Sequence, residues 1–151
     1  MKILIDGDAC FQIPAIEQIA KPKGIPCHIY CDTSHYVDSD YSEIHIVDVG
    51  ANSADMAVLR NCGKTDIVVT NDVGLAAMAL TQGASVLNNF GLEYNDSNIM
   101  TMLTNRHMRK ERQRKTGRDS IHGVPCTRCD HKPFAYTLQT IISRNMTTGD
   151  R

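Results

Sequence analysis

Short apolar runs alternate with helical patterns along the whole chain. The apolar runs predict five strands, at residues 2–5, 27–31, 44–49, 66–70 and 84–87. Between and after them, apolar residues recur at helical spacing, which predicts helices at residues 14–21, 73–82, 98–114 and 134–143 and one that begins near residue 53. Alternating strands and helices are typical of a sheet covered on both faces. The pattern therefore predicts an α/β protein of three layers, α/β/α, whose central, mostly parallel sheet has about five strands.

The length of 151 residues fits one domain with a hydrophobic core of normal size. We expect a single domain at residues 1–146, with a basic helical part from about residue 98 and a disordered tail at residues 147–151. No apolar stretch approaches the ~20 residues of a membrane span, and the N-terminus lacks the pattern of a signal peptide. We therefore expect a cytoplasmic protein without a membrane partner, and the oligomeric state stays open.

The six cysteines do not predict disulfides, because thiols in a cytoplasmic protein stay reduced. Cys126 and Cys129 have the spacing of half a zinc site, with Asp130 and His131 after them. No second pair of ligands at zinc-site spacing follows. We therefore do not expect a structural zinc ion.

Acidic residues recur where the predicted strands end. Asp6 and Asp8 flank Gly7 after the first strand, Asp55 opens the helix after the third, and Asp72 follows the fourth. If the first and fourth strands are neighbours where the strand order reverses, these carboxylates converge on one crevice. Carboxylates that share a pocket repel one another unless a cation compensates, and Mg²⁺ or Mn²⁺ prefers such oxygen ligands. The four acids therefore predict a site for Mg²⁺ or Mn²⁺.

Three of these acids also have a structural interpretation, and the residues alone leave both open. Asp55 lies in a first helical turn, where the helix dipole favours an acid, and Asp72 is a good N-cap for the helix after it. Asp8 could cap a turn. Asp6 is harder to explain in this way, because it ends a buried strand.

Charge is unevenly distributed although the net charge is only −1. Residues 1–105 hold 13 acidic residues against 5 basic ones, whereas residues 106–151 hold 4 acidic residues against 11 basic ones. A crowded basic helix can neutralise the phosphates of nucleic acid, although a solvated helix end has the same composition. Two asparagines at strand ends could add hydrogen bonds to a phosphate. The residues that we predict to bind substrate are Asn71, Asn88, Arg106, Arg109 and Lys110.

Several ordered segments resemble the YaiI/YqxD family of bacterial proteins, which belongs to the wider PIN-like nuclease fold. The resemblance covers roughly residues 3–125 and rests on the segments Ile5-Asp6-Gly7-Asp8-Ala9-Cys10, Ala54-Asp55-Met56-Ala57-Val58 and Asp66-Ile67-Val68-Val69-Thr70-Asn71-Asp72. It implies a PIN-like, Rossmann-like sheet with an acidic pocket. By motif position the catalytic acids would be Asp6, Asp55 and Asp72, with Asp8 assisting, and they would bind Mg²⁺ or Mn²⁺ and cleave RNA.

Three functions are consistent with these residues. The first is a divalent-metal-dependent nuclease or phosphodiesterase that acts on RNA or single-stranded nucleic acid. The second is a phosphatase of the haloacid-dehalogenase type, with Asp6 as nucleophile and Asp8 as general acid, although Cys10 stands where Thr or Val is usual. The third is a nucleic-acid-binding module without catalysis. The nuclease is our leading hypothesis, because it uses both the acids and the basic helix.

Overall fold

The computed structural model describes residues 1–7, 10–33, 37–48, 53–116 and 131–149. Its strands are β1 (Ile3–Asp6), β2 (Cys27–Asp32), β3 (Glu43–Val47), β4 (Ile67–Val69), β5 (Ser85–Leu87) and β6 (Glu93–Tyr94). Its helices are α1 (Ile13–Ala20), which a 3₁₀ turn at Lys21–Lys23 extends, α2 (Ser53–Asn61), α3 (Val73–Thr81), α4 (Ile99–Thr116) and α5 (His131–Gly149). Strands and helices alternate through most of the chain, as the apolar pattern predicts.

The strands form one sheet in the order β3-β2-β1-β4-β5-β6. The first five are parallel to one another, and β6 is antiparallel to β5. From β1 the chain builds the sheet towards β2 and β3, and from β4 it builds towards β5. The strand order therefore reverses between β1 and β4, which makes their carboxyl ends the expected ligand crevice. The predicted neighbourhood of the first and fourth strands is confirmed.

Helices cover both faces of the sheet, which explains the unbroken apolar runs. Ile3 and Ile5 point to one face and pack in a core with residues of α1 and α5, including Phe134. Leu4 points to the other face and packs with residues of α2, α3 and α4, including Val58. A strand that buries both faces has no solvent side and so no polar alternation. The predicted α/β/α architecture is confirmed.

Two elements differ from the apolar pattern. β6 is absent from the prediction because it has only two residues. It forms because a turn at Gly91, with φ of 87°, brings the chain back against β5. α5 is longer at both ends than the predicted 134–143. Residues 147–149 are helical rather than disordered, and the hydroxyls of Thr147 and Thr148 each donate to the carbonyl four residues earlier. Residues 150–151 lie outside the described residues.

Among the described residues, no helix has both the length and the apolar character that crossing a membrane requires.

Three of the described cysteines, Cys10, Cys27 and Cys62, are free thiols that burial makes hard to ionise. Burial raises the pKa of Cys27 from the ordinary 9.0 to about 12, and it raises the pKa values of Cys10 and Cys62 to about 11. The unfolded chain therefore loses these protons first as pH rises. Their contribution to stability is complete below pH 9 and is lost as pH rises from 9 through the folded-state pKa values.

We expect the urea midpoint of unfolding to fall steadily between pH 9 and pH 11. The buried tyrosines act in the same direction, because burial also raises the pKa of Tyr30 and Tyr94. The Cys27→Ala variant separates the contribution of the thiol from that of the phenols. Its urea midpoint should fall less steeply with pH over this interval than the midpoint of the wild-type protein. An equal slope in both proteins would show that Cys27 ionises alike in the folded and unfolded chains.

Candidate functional site

The carboxyl ends of β1 and β4 are joined by one hydroxyl group. Ile5 pairs with Val69 in the sheet, so that Asp6 and Thr70 follow side by side. Thr70 Oγ1 donates to Asp6 Oδ2 over 3.0 Å and accepts from the backbone N–H of Asp72, also over 3.0 Å. Asp6 and Thr70 are both buried, at 8% and 1% exposure. The hydroxyl thus fixes Asp6 relative to the loop that carries Asp72.

Asp72 is the N-cap of α3, as one interpretation of the sequence predicts. Its Oδ1 atom accepts from the backbone N–H groups of Gly74 (2.8 Å) and Leu75 (3.3 Å), and such a cap stabilises a helix by about 1 kcal/mol. The same oxygen lies 3.1 Å from Arg106 Nη1. A Cβ atom on Gly74 would lie 2.7 Å from that nitrogen, so the absent side chain lets the guanidinium reach the cap. Capping and an ion pair therefore use one oxygen of Asp72, namely Oδ1.

Asn71 and Asn88 hold the neighbouring loops in place through their side-chain oxygens. Asn71 Oδ1 accepts from the backbone N–H of Asn89 over 3.0 Å. Asn88 Oδ1 accepts from the N–H groups of Phe90 and Leu92, each over 2.9 Å, and so closes the turn between β5 and β6. Because the oxygens are used in this way, the amide nitrogens are the atoms that could meet a ligand. An N–H donor suits an anion.

A cleft of about 640 Å³ opens between α4 and the carboxyl ends of β4 and β5. Its α4 residues recur at spacings of three and four, which is one face of a helix. That face continues from Ile99 and Leu103, which pack against the core. The cleft is lined by Asn71, Asp72, Val73, Asn88, Tyr94, Met102, Asn105, Arg106, Arg109 and Lys110.

The structure brings most, though not all, of the predicted site residues into this cleft. Asp72 lines it together with all five residues predicted to bind substrate. Asp6 does not line it, and its Oδ2 atom accepts the hydrogen bond from Thr70. Asp55 is half-buried in the first turn of α2, which the crossover from β3 to β4 places at the same carboxyl edge of the sheet. Asp8 lies outside the described residues.

Three residues of this region were not singled out from the sequence. Thr70 links Asp6 to the loop that carries Asp72. Its position at the end of a buried strand is the feature of the sequence that could have pointed to it. Asn105 shares a helix face with the basic residues. Tyr94 belongs to the unpredicted β6, and burial raises its pKa although a hydrogen bond with the Asn88 side chain acts in the opposite direction. Its phenol therefore keeps its proton at neutral pH, so that it can donate to a ligand.

An open α/β sheet with acids at its switch point and a mixed polar and basic cleft beside them defines a Rossmann-like protein with a site suited to anions. More narrowly, the chain belongs to the family described as "Uncharacterized BCR, YaiI/YqxD family", whose model matches residues 4–144. The resemblance seen in the sequence is confirmed.

Relatives cover nearly the whole chain. A UPF0178 protein of Clostridium acetobutylicum is 40% identical over 145 residues, which are 95% of this chain and 98% of the relative. A UPF0178 protein of Clostridium perfringens is 38% identical over 144 residues, covering 95% of this chain and 96% of the relative. One from Ruminiclostridium cellulolyticum is 43% identical over 118 residues, covering 78% and 77%. No solved structure matches the chain significantly.

Proposed function

We propose that this protein is a divalent-metal-dependent nuclease, or phosphodiesterase, that acts on RNA or single-stranded nucleic acid. One observation carries the proposal: Asp72 lines a cleft with three cationic side chains of α4 and is linked through Thr70 to the buried Asp6. The acids suit a cation and the basic face suits a polyanion. The two parts are adjacent, as cleavage of a phosphodiester requires.

The carboxylates at the carboxyl edge are of the ligand type that suits Mg²⁺ or Mn²⁺. These cations prefer carboxylate oxygens and keep open positions for water and phosphate. Asp72 uses Oδ1 as cap and ion-pair acceptor, which leaves Oδ2 for a metal. We propose Asp6 and Asp55 as further ligands, with Asp8 assisting as the family resemblance implies. A cation held there supplies Lewis-acid stabilisation of the charge that develops on a phosphodiester.

The residues of α4 hold the substrate in this proposal. Among the side chains that line the cleft, one is acidic and three are basic. Arg106 and Arg109 can each donate two parallel hydrogen bonds to a phosphate, whereas Lys110 acts as a point charge. The amide nitrogens of Asn71 and Asn88 add neutral donors at the strand ends. This set recognises phosphate groups and not a particular base.

Two exposed aromatic rings favour a single-stranded substrate. Phe11 and Phe90 follow β1 and β5, and their ring centroids lie 5.6 Å apart in an edge-to-face contact. The chain segments that carry them are tied together, because Gln12 Nε2 donates to the carbonyl of Asn89 over 2.8 Å. Unpaired bases stack on such rings irrespective of sequence. In a duplex the base faces are already stacked, so the two rings add no binding energy.

The test is a cleavage assay of the purified protein on labelled RNA and DNA oligomers, with Mg²⁺, with Mn²⁺ and with EDTA. We expect metal-dependent cleavage of single-stranded RNA that EDTA abolishes. Salt-sensitive binding without cleavage in any metal would instead indicate the binding module. Hydrolysis of p-nitrophenyl phosphate with a trappable aspartyl-phosphate would indicate the phosphatase. Either result would overturn the proposal.

A pair of matched variants tests the role of the basic face. Arg109→Gln/Lys110→Gln removes two charges from the cleft, whereas Lys21→Gln/Lys23→Gln removes two exposed charges beyond α1. We expect the first variant to bind RNA more weakly and to lower the slope of log K against log salt by about 1.4, at about 0.7 per lost phosphate contact. The second variant should behave as wild type. Equal effects would indicate non-specific attraction.

A further inference from the structure

Two histidines and a glutamate meet at the opposite end of the sheet from the cleft. His28 is near the start of β2, and Glu43 and His45 lie on the edge strand β3. The parallel register pairs His28 with Glu43 and Tyr30 with His45. Because residues two apart on a strand face the same side, all four side chains lie on one face.

The spacing of the three polar side chains is that of metal ligands. Nδ1 of His28 lies 3.0 Å from Nε2 of His45. The carboxylate oxygens of Glu43 lie 3.6 Å from the first nitrogen and 3.7 Å from the second. In a tetrahedral zinc site, ligand atoms about 2.0–2.1 Å from the metal are about 3.3 Å apart. The observed separations bracket that value, so small side-chain rotations would accommodate an ion.

We propose that His28, Glu43 and His45 form a Zn²⁺ site at the amino end of β2 and β3. Two imidazoles and a carboxylate suit Zn²⁺ better than Mg²⁺, which prefers oxygen ligands. Three protein ligands leave the fourth tetrahedral position to water. The site is separate from the proposed nuclease site and does not depend on it.

The surroundings prepare the two imidazoles for binding. The ring of His45 stacks on Tyr30, with centroids 4.7 Å apart and planes inclined by 12°, which limits its rotation. Burial lowers the pKa of His28, and the effects of the neighbouring charges are smaller and of both signs: Glu43 and Asp66 raise the pKa, whereas His45 and Lys2 lower it. A neutral imidazole is the form that binds a metal. The salt bridge of 3.8 Å between Lys2 and Asp66 offsets the positive charge of Lys2.

A hydrogen bond between the two imidazoles is the competing explanation of the close contact. It needs one protonated and one unprotonated nitrogen, and it gives Glu43 no role beyond a weak attraction. A zinc ion instead uses all three groups and links the edge strand β3 to β2. Binding to the folded protein alone would raise its thermal stability. Zinc-dependent stabilisation therefore separates the two explanations.

The experiment is a titration of the metal-free protein with Zn²⁺, followed by calorimetry, by thermal unfolding and by ¹⁵N NMR of the histidine rings. We expect a rise in Tm with added Zn²⁺ and shifts of the His28 and His45 ring nitrogens, with no shift at His107. His107 is a suitable internal control, because it is exposed on α4 and pairs with Glu111 at 3.2 Å. Ring nitrogens of His28 and His45 that do not respond would overturn the proposal, and this result needs no variant.

Variants locate the binding in the chain. His28→Gln and His45→Gln should each weaken Zn²⁺ binding by at least about tenfold, whereas His107→Gln should not change it. Cys126→Ser/Cys129→Ser removes the half zinc motif of the sequence and should leave the His28 and His45 shifts unchanged. Loss of those shifts in the cysteine variant, or retention of full affinity in His45→Gln, would assign the zinc to another site.

Discussion

Replacing Asp6 by Asn is expected to lower the rate of metal-dependent RNA cleavage by at least about 100-fold. Loss of groups that only support metal ligands costs about 10- to 100-fold, and we place Asp6 among the ligands themselves. The substitution removes the charge but keeps the size of the side chain. The Thr70 hydroxyl can still donate to the amide oxygen in place of Asp6 Oδ2. Cleavage rates under saturating Mn²⁺ measure the effect.

Two controls separate catalysis from folding and binding. The variant should unfold close to the wild-type midpoint and should bind RNA with wild-type affinity in EDTA, because Asp6 does not line the basic cleft. Asp38→Asn removes a carboxylate from another groove, near Glu17 and Lys21, and should leave cleavage unchanged. Full cleavage by Asp6→Asn would show that Asp6 only holds the loop through Thr70.

Replacing Gly91 by Ala is expected to destabilise the fold by about 2–5 kcal/mol. The φ angle of 87° at this turn costs a residue with a Cβ about 1–2 kcal/mol. That Cβ would also lie 2.7–2.8 Å from backbone atoms of Pro133 and Phe134, and overpacking of this kind costs about 1–3 kcal/mol. The first turn of α5 must move, although Phe134 is fully buried and Thr137 donates to the Gly91 carbonyl over 2.7 Å.

Gly24→Ala is the matched control for this prediction. Gly24 has a similar φ of 66°, but no atom of the described residues lies within 4 Å of an added Cβ. We expect the free energy of unfolding of this variant to fall only by the conformational cost of about 1–2 kcal/mol. Urea-induced unfolding of both variants gives the difference. Equal destabilisation would contradict the close approach of α5 to the turn between β5 and β6.

The layers of this fold were predictable from the sequence because burial leaves a simple signature. β1 and β4 are covered on both faces, so each is a continuous apolar run bounded by polar residues. β6 has two residues and no such signature, because its position depends on the turn before it. The predicted helix at residues 134–143 is too short at both ends, because Pro133 does not end α5 and the helix continues to Gly149. Pro133 lies in the first turn, where no backbone hydrogen bond is lost.

The candidate site was predictable in composition but not in detail. Strand order alone placed Asp6, Asp55 and Asp72 at one edge of the sheet, since the carboxyl ends of parallel strands coincide. The capping interpretation of Asp72 is confirmed, because Oδ1 caps α3. The residue also lines the cleft, and its role as a metal ligand stays a prediction. The bond from Thr70 to Asp6 depends on the register of β1 and β4, which no single segment encodes.

The cluster of His28, Glu43 and His45 likewise depends on a strand register that the sequence does not reveal. Each strand by itself shows only polar residues two apart. The three become neighbours through the register of β2 with β3, in which His28 pairs with Glu43. Such a site is therefore visible only in three dimensions.

The most direct test of the central claim is where Mn²⁺ binds. Added in small amounts to ¹⁵N-labelled protein, it broadens amide resonances of nearby residues through its unpaired electrons. We predict that the resonances of Gly7, Thr70 and Asn71 broaden first, and that an RNA oligomer then shifts those of Arg109 and Lys110. Unchanged resonances at Gly7, Thr70 and Asn71, with broadening that begins elsewhere, would contradict a metal site at the carboxyl edge of the sheet.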